Sequence, residues 1–142
     1  MRKHIMWRLA AALWLLAGPA VVWADDLKGA QGLLCTAGQA ALCTDDGDCM
    51  IQKPADLNIP LFLELDLKEK RISTTRASGE NRSTPIRTLE RTDGMLFVQG
   101  IEGGRAFSFV ISEDTGLLSA AVARDGKAVS VFGACTPMAA GK

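Results

Sequence analysis

Leu61, Leu63, Leu65 and Leu67 take every second position of one stretch, with Phe62, Glu64 and Asp66 between them. A period of two puts each set on its own face, which predicts a half-buried strand. Lys68-Glu69-Lys70 then forms a charged turn. Further along, Asp93-Gly94 leads into a second strand, Met95 to Ile101. Glu102-Gly103-Gly104-Arg105 turns the chain into residues 106–112, where Phe107, Phe109 and Ile111 share a face. Glu113-Asp114-Thr115-Gly116 is another turn, residues 117–124 another strand, and Asp125-Gly126 a hairpin signal, because glycine accepts the positive φ of such turns. The last strand carries Val129 and Val131 into Phe132-Gly133-Ala134-Cys135. The four strands from Met95 onward form an antiparallel meander.

Earlier in the chain, residues 33–36 and 49–52 read as short strands, as do 72–75 and 86–89. No stretch shows an amphipathic helical period with caps. The expected fold is therefore all-β: an antiparallel meander of about seven or eight short strands, curled into an open sheet or a small barrel. Closure would remove exposed strand edges.

Cysteine usage ties the ends together. An even number of cysteines, Cys35, Cys43, Cys49 and Cys135, in an exported chain reads as two disulfides. Three pairings are open. The favoured one closes the small loop Cys43–Cys49 and joins the first strand to the last through Cys35–Cys135. The spacings suit zinc poorly, and Asp45, Asp46 and Asp48 lack the alternation and downstream glutamate of a calcium loop. No metal and no cofactor is expected.

The export reading comes from the first residues. Arg2, Lys3 and His4 precede an apolar run, Leu9 to Leu16, and Gly18-Pro19 precedes Val22-Trp23-Ala24. That is the layout of a secretory signal peptide, expected to span residues 1–24 and to be cleaved. A membrane-spanning helix needs roughly 20 apolar residues, more than this run offers, so the mature chain is not expected to be membrane-embedded. Residues 25–142 then form a single β domain, with 136–142 expected as a disordered tail. The expected location is the periplasm or the exterior.

Removing residues 1–24 takes away every Trp and the single His. Without His, the commonest general base is gone. No phosphate-binding, nucleophile-elbow or dinucleotide pattern is present either. Glu64 and Asp66, two residues apart on an outer strand face, read as a solvated pair. The domain is expected to be no enzyme.

Charge is unevenly spread. Residues 25–66 are acidic, whereas 67–91 carry Lys68, Lys70, Arg71, Arg76, Arg82, Arg87 and Arg91. Arginine recognises phosphate and carboxylate with a planar fork, so Arg76, Arg82 and Arg87 are candidates for binding an anionic envelope component or a protein partner. Nucleic acid is not expected, since that stretch has no aromatic residue for base stacking. Alternatively, these arginines lie against the acidic segment.

Cys35-x7-Cys43-x5-Cys49, the Leu-alternating strand, Asp114-Thr115-Gly116 and Phe132-Gly133-x-Cys135 together resemble small exported bacterial envelope proteins of unassigned activity. The plan is also similar to that of the c-type lysozyme inhibitors, small envelope β-barrels whose N- and C-terminal cysteines pair. The stretch nearest their inhibitory loop, Gly103-Gly104-Arg105-Ala106-Phe107-Ser108, lacks its serines before the aromatic and has Phe where they have Tyr. The resemblance implies a fold and not those residues' roles. The functional expectation is a monomeric, non-catalytic module that binds an envelope partner or acts as an inhibitor. The alternative is a small, lipocalin-like barrel carrying an apolar ligand.

Overall fold

A computed structural model describes residues 26–139. The signal peptide expected at 1–24 and the end of the chain, 140–142, lie outside the described residues. The strands are β1 (Gly32–Thr44), β2 (Cys49–Gln52), β3 (Phe62–Asp66), β4 (Arg71–Thr74), β5 (Ser83–Pro85), β6 (Thr88–Thr92), β7 (Met95–Glu102), β8 (Arg105–Ser112), β9 (Leu117–Arg124) and β10 (Lys127–Pro137). Two 3-10 turns, Pro54–Leu57 and Arg76–Ser78, complete the described elements.

The fold is all-β, as the alternation implied. All ten strands belong to one antiparallel curled sheet, in the order β5-β4-β3-β1-β10-β9-β8-β7-β6, with β2 added beside β1. The meander from β7 to β10 follows the turns seen in the sequence. The strand count exceeds the expected seven or eight. The strand expected at 86–89 begins only at Thr88, as β6, and a further short strand, β5, precedes it, the two parted by Ile86 and Arg87.

Those two residues carry the chain from one edge of the sheet to the other. The Ile86 N–H donates to Lys70 O at 2.8 Å, beside β4, and the Arg87 N–H donates to Gln99 O at 2.8 Å, on β7. From Pro85 to Thr88 is three residues, or about 10 Å of extended chain. The sheet therefore curls until its two edges are consecutive segments of one chain. Pro85, which has no N–H to give, sits at the edge where none is needed.

β1 is the other organising element. β10 pairs with it along its length, while β3 takes the first half of its opposite side and β2 the second. Its register against β10 shifts between Ala37 and Gln39, a bulge at Gly38. Opposite it, a Cβ on Gly133 would lie 1.8 Å from the Thr36 carbonyl oxygen. Only glycine allows the two backbones so close.

Cys35 and Cys135 face each other across β1 and β10 and are bonded, as are Cys43 and Cys49. Thr136 and Pro137 continue β10 opposite Leu34 and Leu33, and the Met138 N–H donates to Gly32 O at 2.9 Å. The disordered tail expected from 136 therefore does not begin there. Backbone pairing holds the chain through 138, because β1 starts early enough to supply partners.

Inward positions form the core: Leu33, Leu65, Ile72, Leu96, Val98, Ile111, Leu118 and Val131 are buried. The end carrying the 67–70, 93–94 and 113–116 turns is closed by the N-terminal segment. Leu27 is 1% exposed there, and its N–H donates to Glu113 O at 2.8 Å. Arg91 pairs with Glu113 and donates to Ala30 O at 2.7 Å, and Lys28 pairs with Asp114 at 2.5 Å. With that end plugged, access to the interior lies at the opposite end.

Outward positions divide by side. Those of β9 and β10, from Leu117, Ser119, Ala121 and Ala123 to Ala128, Ser130, Phe132 and Ala134, carry no charge. β3, β4 and β6 show Glu64, Asp66, Arg71 and Glu90 outward.

Candidate functional site: a cavity with a charged mouth

The unplugged end carries the β4–β5 loop, the β7–β8 and β9–β10 turns and the β1–β2 turn. Beneath them lies a cavity of about 100 Å³. Its wall draws on eight strands and includes Leu63, Ile72, Phe107, Phe109, Leu118, Ala120, Val122 and Val131, with Cys35 at the side. The space follows from side-chain size. Ala37, Ala120 and Gly133 occupy inward positions where larger residues would meet.

The Phe107 ring lies across Gly100 on the neighbouring strand and 5.3 Å, centroid to centroid, from the Phe109 ring. Among the polar groups in the wall, the Thr74 hydroxyl is occupied by the protein itself. The Thr74 hydroxyl donates to Glu80 O at 3.0 Å and accepts the Arg82 N–H at 3.2 Å. Among the described residues no buried side-chain polar atom lacks a partner. The interior therefore offers a guest apolar contact and little else.

A lid covers part of the opening. Pro54–Leu57 coil into a 3-10 turn, Asn58 reverses the chain with φ 55°, and Ile59 and Pro60 return over the cavity. The Asn58 N–H donates to Ala55 O at 3.1 Å and the Ile59 N–H to Pro54 O at 3.0 Å. Leu57 and Ile59 pack on the core.

Arg82 latches this lid. Its Nη1 donates to Asn58 O at 3.2 Å, and its Nη2 lies 3.2 Å from Glu102 Oε2. Glu80 lies 3.6 Å from the same guanidinium, and Arg105 reaches Glu102 at 3.4 Å. These groups are partly exposed, from 21% for Arg105 to 44% for Glu80, so each pair is worth at most about 1 kcal/mol. Their effect is positional.

A second, smaller space of about 80 Å³ adjoins the first. It shares Ile59, Arg105 and Val122 with the larger cavity and adds Leu42, Leu57 and Val129 and the cations Arg124 and Lys127.

Of the three arginines singled out in the sequence, only Arg82 lines the cavity. Arg82 stands at the mouth, Arg76 is exposed on the 3-10 turn 76–78, and Arg87 points outward where the sheet edges meet. Arg82 and Arg87 are five residues apart, roughly 16 Å along extended chain. The acids that engage Arg82 are Glu80 and Glu102, not those of the segment 25–66, which supplies only the Asn58 carbonyl.

The remaining acidic candidates serve turns. Asp66 accepts the Glu69 N–H at 2.8 Å. The Thr44 hydroxyl donates to Asp46, and with the Asp48 N–H it holds that carboxyl below its ordinary value.

Glu102, Arg105, Arg124 and Lys127 escaped sequence reasoning. The signal was available in the hairpins: each pair flanks a two-residue turn, so Glu102 faces Arg105 and Arg124 faces Lys127 across the strands. Compared with family models, curated proteins and solved structures, the chain matches none.

Proposed function

We propose that this is an exported, non-catalytic β module that holds the apolar part of a small ligand inside its curled sheet. The cavity behind Arg82 and Glu102 carries this reading. Leu, Ile, Val and Phe side chains make up much of its wall, and among the described residues no fully buried side-chain polar atom lacks a partner. A dry apolar cavity of about 150 Å³ takes one benzene, so a space of about 100 Å³ suits about four carbons, and the adjoining space of about 80 Å³ leaves room for a chain of about six. A small β-barrel interior offers room on this scale. Export fits the two disulfides and the N-terminal pattern of the sequence.

Of the two readings open from sequence, the carrier now has the better support. Of Arg76, Arg82 and Arg87, which would have to act together on an anionic envelope partner, only Arg82 lines the cavity, and its guanidinium is already engaged by Glu102 and Glu80.

The test is a titration of the protein with primary alcohols, followed through methyl NMR signals. Hexanol should shift the methyls of Leu63, Leu118, Val122 and Val131. Affinity should rise about fourfold per carbon, as expected for about 0.8 kcal/mol per buried methylene, and level off beyond about six carbons. Ala120→Leu, which fills the space, should abolish these shifts. Shifts confined to outward residues such as Leu117 and Ile101 would refute the proposal.

A further inference from the structure

We infer that the outer space at the mouth is a headgroup site for an anionic oxygen group, so that the ligand is a small amphiphilic acid. This rests on the cavity reading above and adds the chemistry of the ligand's polar end.

Three cations line the outer space, Arg105, Arg124 and Lys127, and no acid does. Arg124 and Lys127 are directly opposite each other across β9 and β10, on the side continuous with Val122 and Val129. Like charges directly opposite on paired strands destabilise the pair, and neither side chain has an ion-pair partner among the described residues. Two acids stand in that turn region, Asp125 in the β9–β10 turn itself and Asp45, whose carboxyl lies beside Gly126, and neither forms an ion pair with Arg124 or Lys127. Arg105 is engaged by Glu102 from one side only, at 3.4 Å, which leaves part of its five-donor fork for a second acceptor. A carboxylate or phosphate here would relieve the Arg124–Lys127 opposition and complete the donors of Arg105.

The two spaces are one route. Ile59, Arg105 and Val122 belong to both walls, so a head among the cations has its chain directed past Val122 toward Leu118 and Phe109. An anion free in solution would gain only the screened charges; an uncharged chain would gain only the apolar wall.

The experiment compares hexanoate, hexyl phosphate, hexanol and hexylamine against the disulfide-bonded protein at neutral pH and low salt, by calorimetry or NMR. At least one acid should bind about tenfold more tightly than hexanol, and hexylamine more weakly. Which acid leads distinguishes a carboxylate head from a phosphate head. The preference should shrink on adding salt, because exposed charges are screened beyond about 8 Å at physiological ionic strength. Arg124→Gln combined with Lys127→Gln should bring the acids down to the affinity that variant shows for hexanol. Its melting temperature, read alongside, reports that it is folded.

Acids and hexanol binding equally well to the wild type would overturn the headgroup site and leave the cavity reading standing. So would a preference that survives the double variant, or tighter binding of the amine. If none of the four compounds binds, the cavity reading itself falls, and the headgroup site with it.

Discussion

Phe107 occupies the place that a side chain on Gly100 would need. A Cβ built on Gly100 would lie 2.4 Å from the Phe107 Cζ, and the Pro85 carbonyl oxygen closes the other side at 3.1 Å. The two residues are direct partners across β7 and β8, so the glycine lets the ring lie flat along the wall instead of standing into the interior. Gly100→Ala is expected to swing Phe107 into the cavity. Overpacking of this kind costs about 1–3 kcal/mol, measurable by chemical denaturation, and hexanol binding should be lost with it. An alanine variant as stable as wild type would mean the ring has another place to go.

The two disulfides should differ in what they contribute. Cys35–Cys135 joins residues 100 apart and Cys43–Cys49 residues 6 apart. In the chain-entropy model those loops correspond to about 4.7 and about 2.2 kcal/mol. Replacing the long-range pair with alanines should cost roughly twice as much stability as replacing the short one. Equal losses would place the effect in native packing and not in the unfolded chain.

Arg82 tests the latch. Arg82→Met removes the contacts to Asn58 O and Glu102 while keeping the length of the side chain. Global stability should move by less than about 1 kcal/mol, as for partly exposed ion pairs. Hydrogen exchange at the Asn58 and Ile59 amides, whose bonds close the 3-10 turn, should accelerate well beyond that of β10. Unchanged exchange at those two amides would mean that packing of Leu57 and Ile59 alone holds the lid.

The β1–β2 turn offers a pH readout. The Thr44 hydroxyl and the Asp48 N–H stabilise ionised Asp46, which lowers its pKa. A group depressed in the folded state stabilises above its unfolded pKa, and that contribution is lost as pH falls through the folded value. The stabilisation is therefore fully present near neutrality, and its pH dependence is confined to the acid side. NMR titration of the carboxyl carbons should show Asp46 below the ordinary aspartate value, and Thr44→Val should raise it.

Much of the scaffold is legible in the sequence where side-chain alternation and turn chemistry agree. The run from Leu61 to Leu67 and the strands with Phe107, Phe109, Val129 and Val131 announce themselves. Of the three pairings open to the four cysteines, the one favoured from sequence is the one formed. β1 is harder: its thirteen residues include Ala37-Gly38-Gln39-Ala40-Ala41, which has no alternation and weak strand propensity. Only pairing with β10, β2 and β3 holds it extended. The edge-to-edge link at Ile86 and Arg87 is invisible locally, because the sequence there reads as one strand and the break lies in a change of partner. The site is least legible. Arg82 stands out as a charge, but Glu102 is 20 residues away, and the sheet alone brings them together. The cavity is a matter of what is small, at Ala37, Ala120 and Gly133, and small residues carry no signal of their own.

The central claim is an apolar space behind Arg82 and Glu102 that accepts a guest. Crystals pressurised with xenon test it most directly, since xenon has no headgroup and reports only on the space and its lining. The account predicts one well-occupied xenon between Phe107, Leu118 and Val131, absent from Ala120→Leu crystals treated alike. Xenon bound only on the outer surface, with nothing among those three residues, would contradict it.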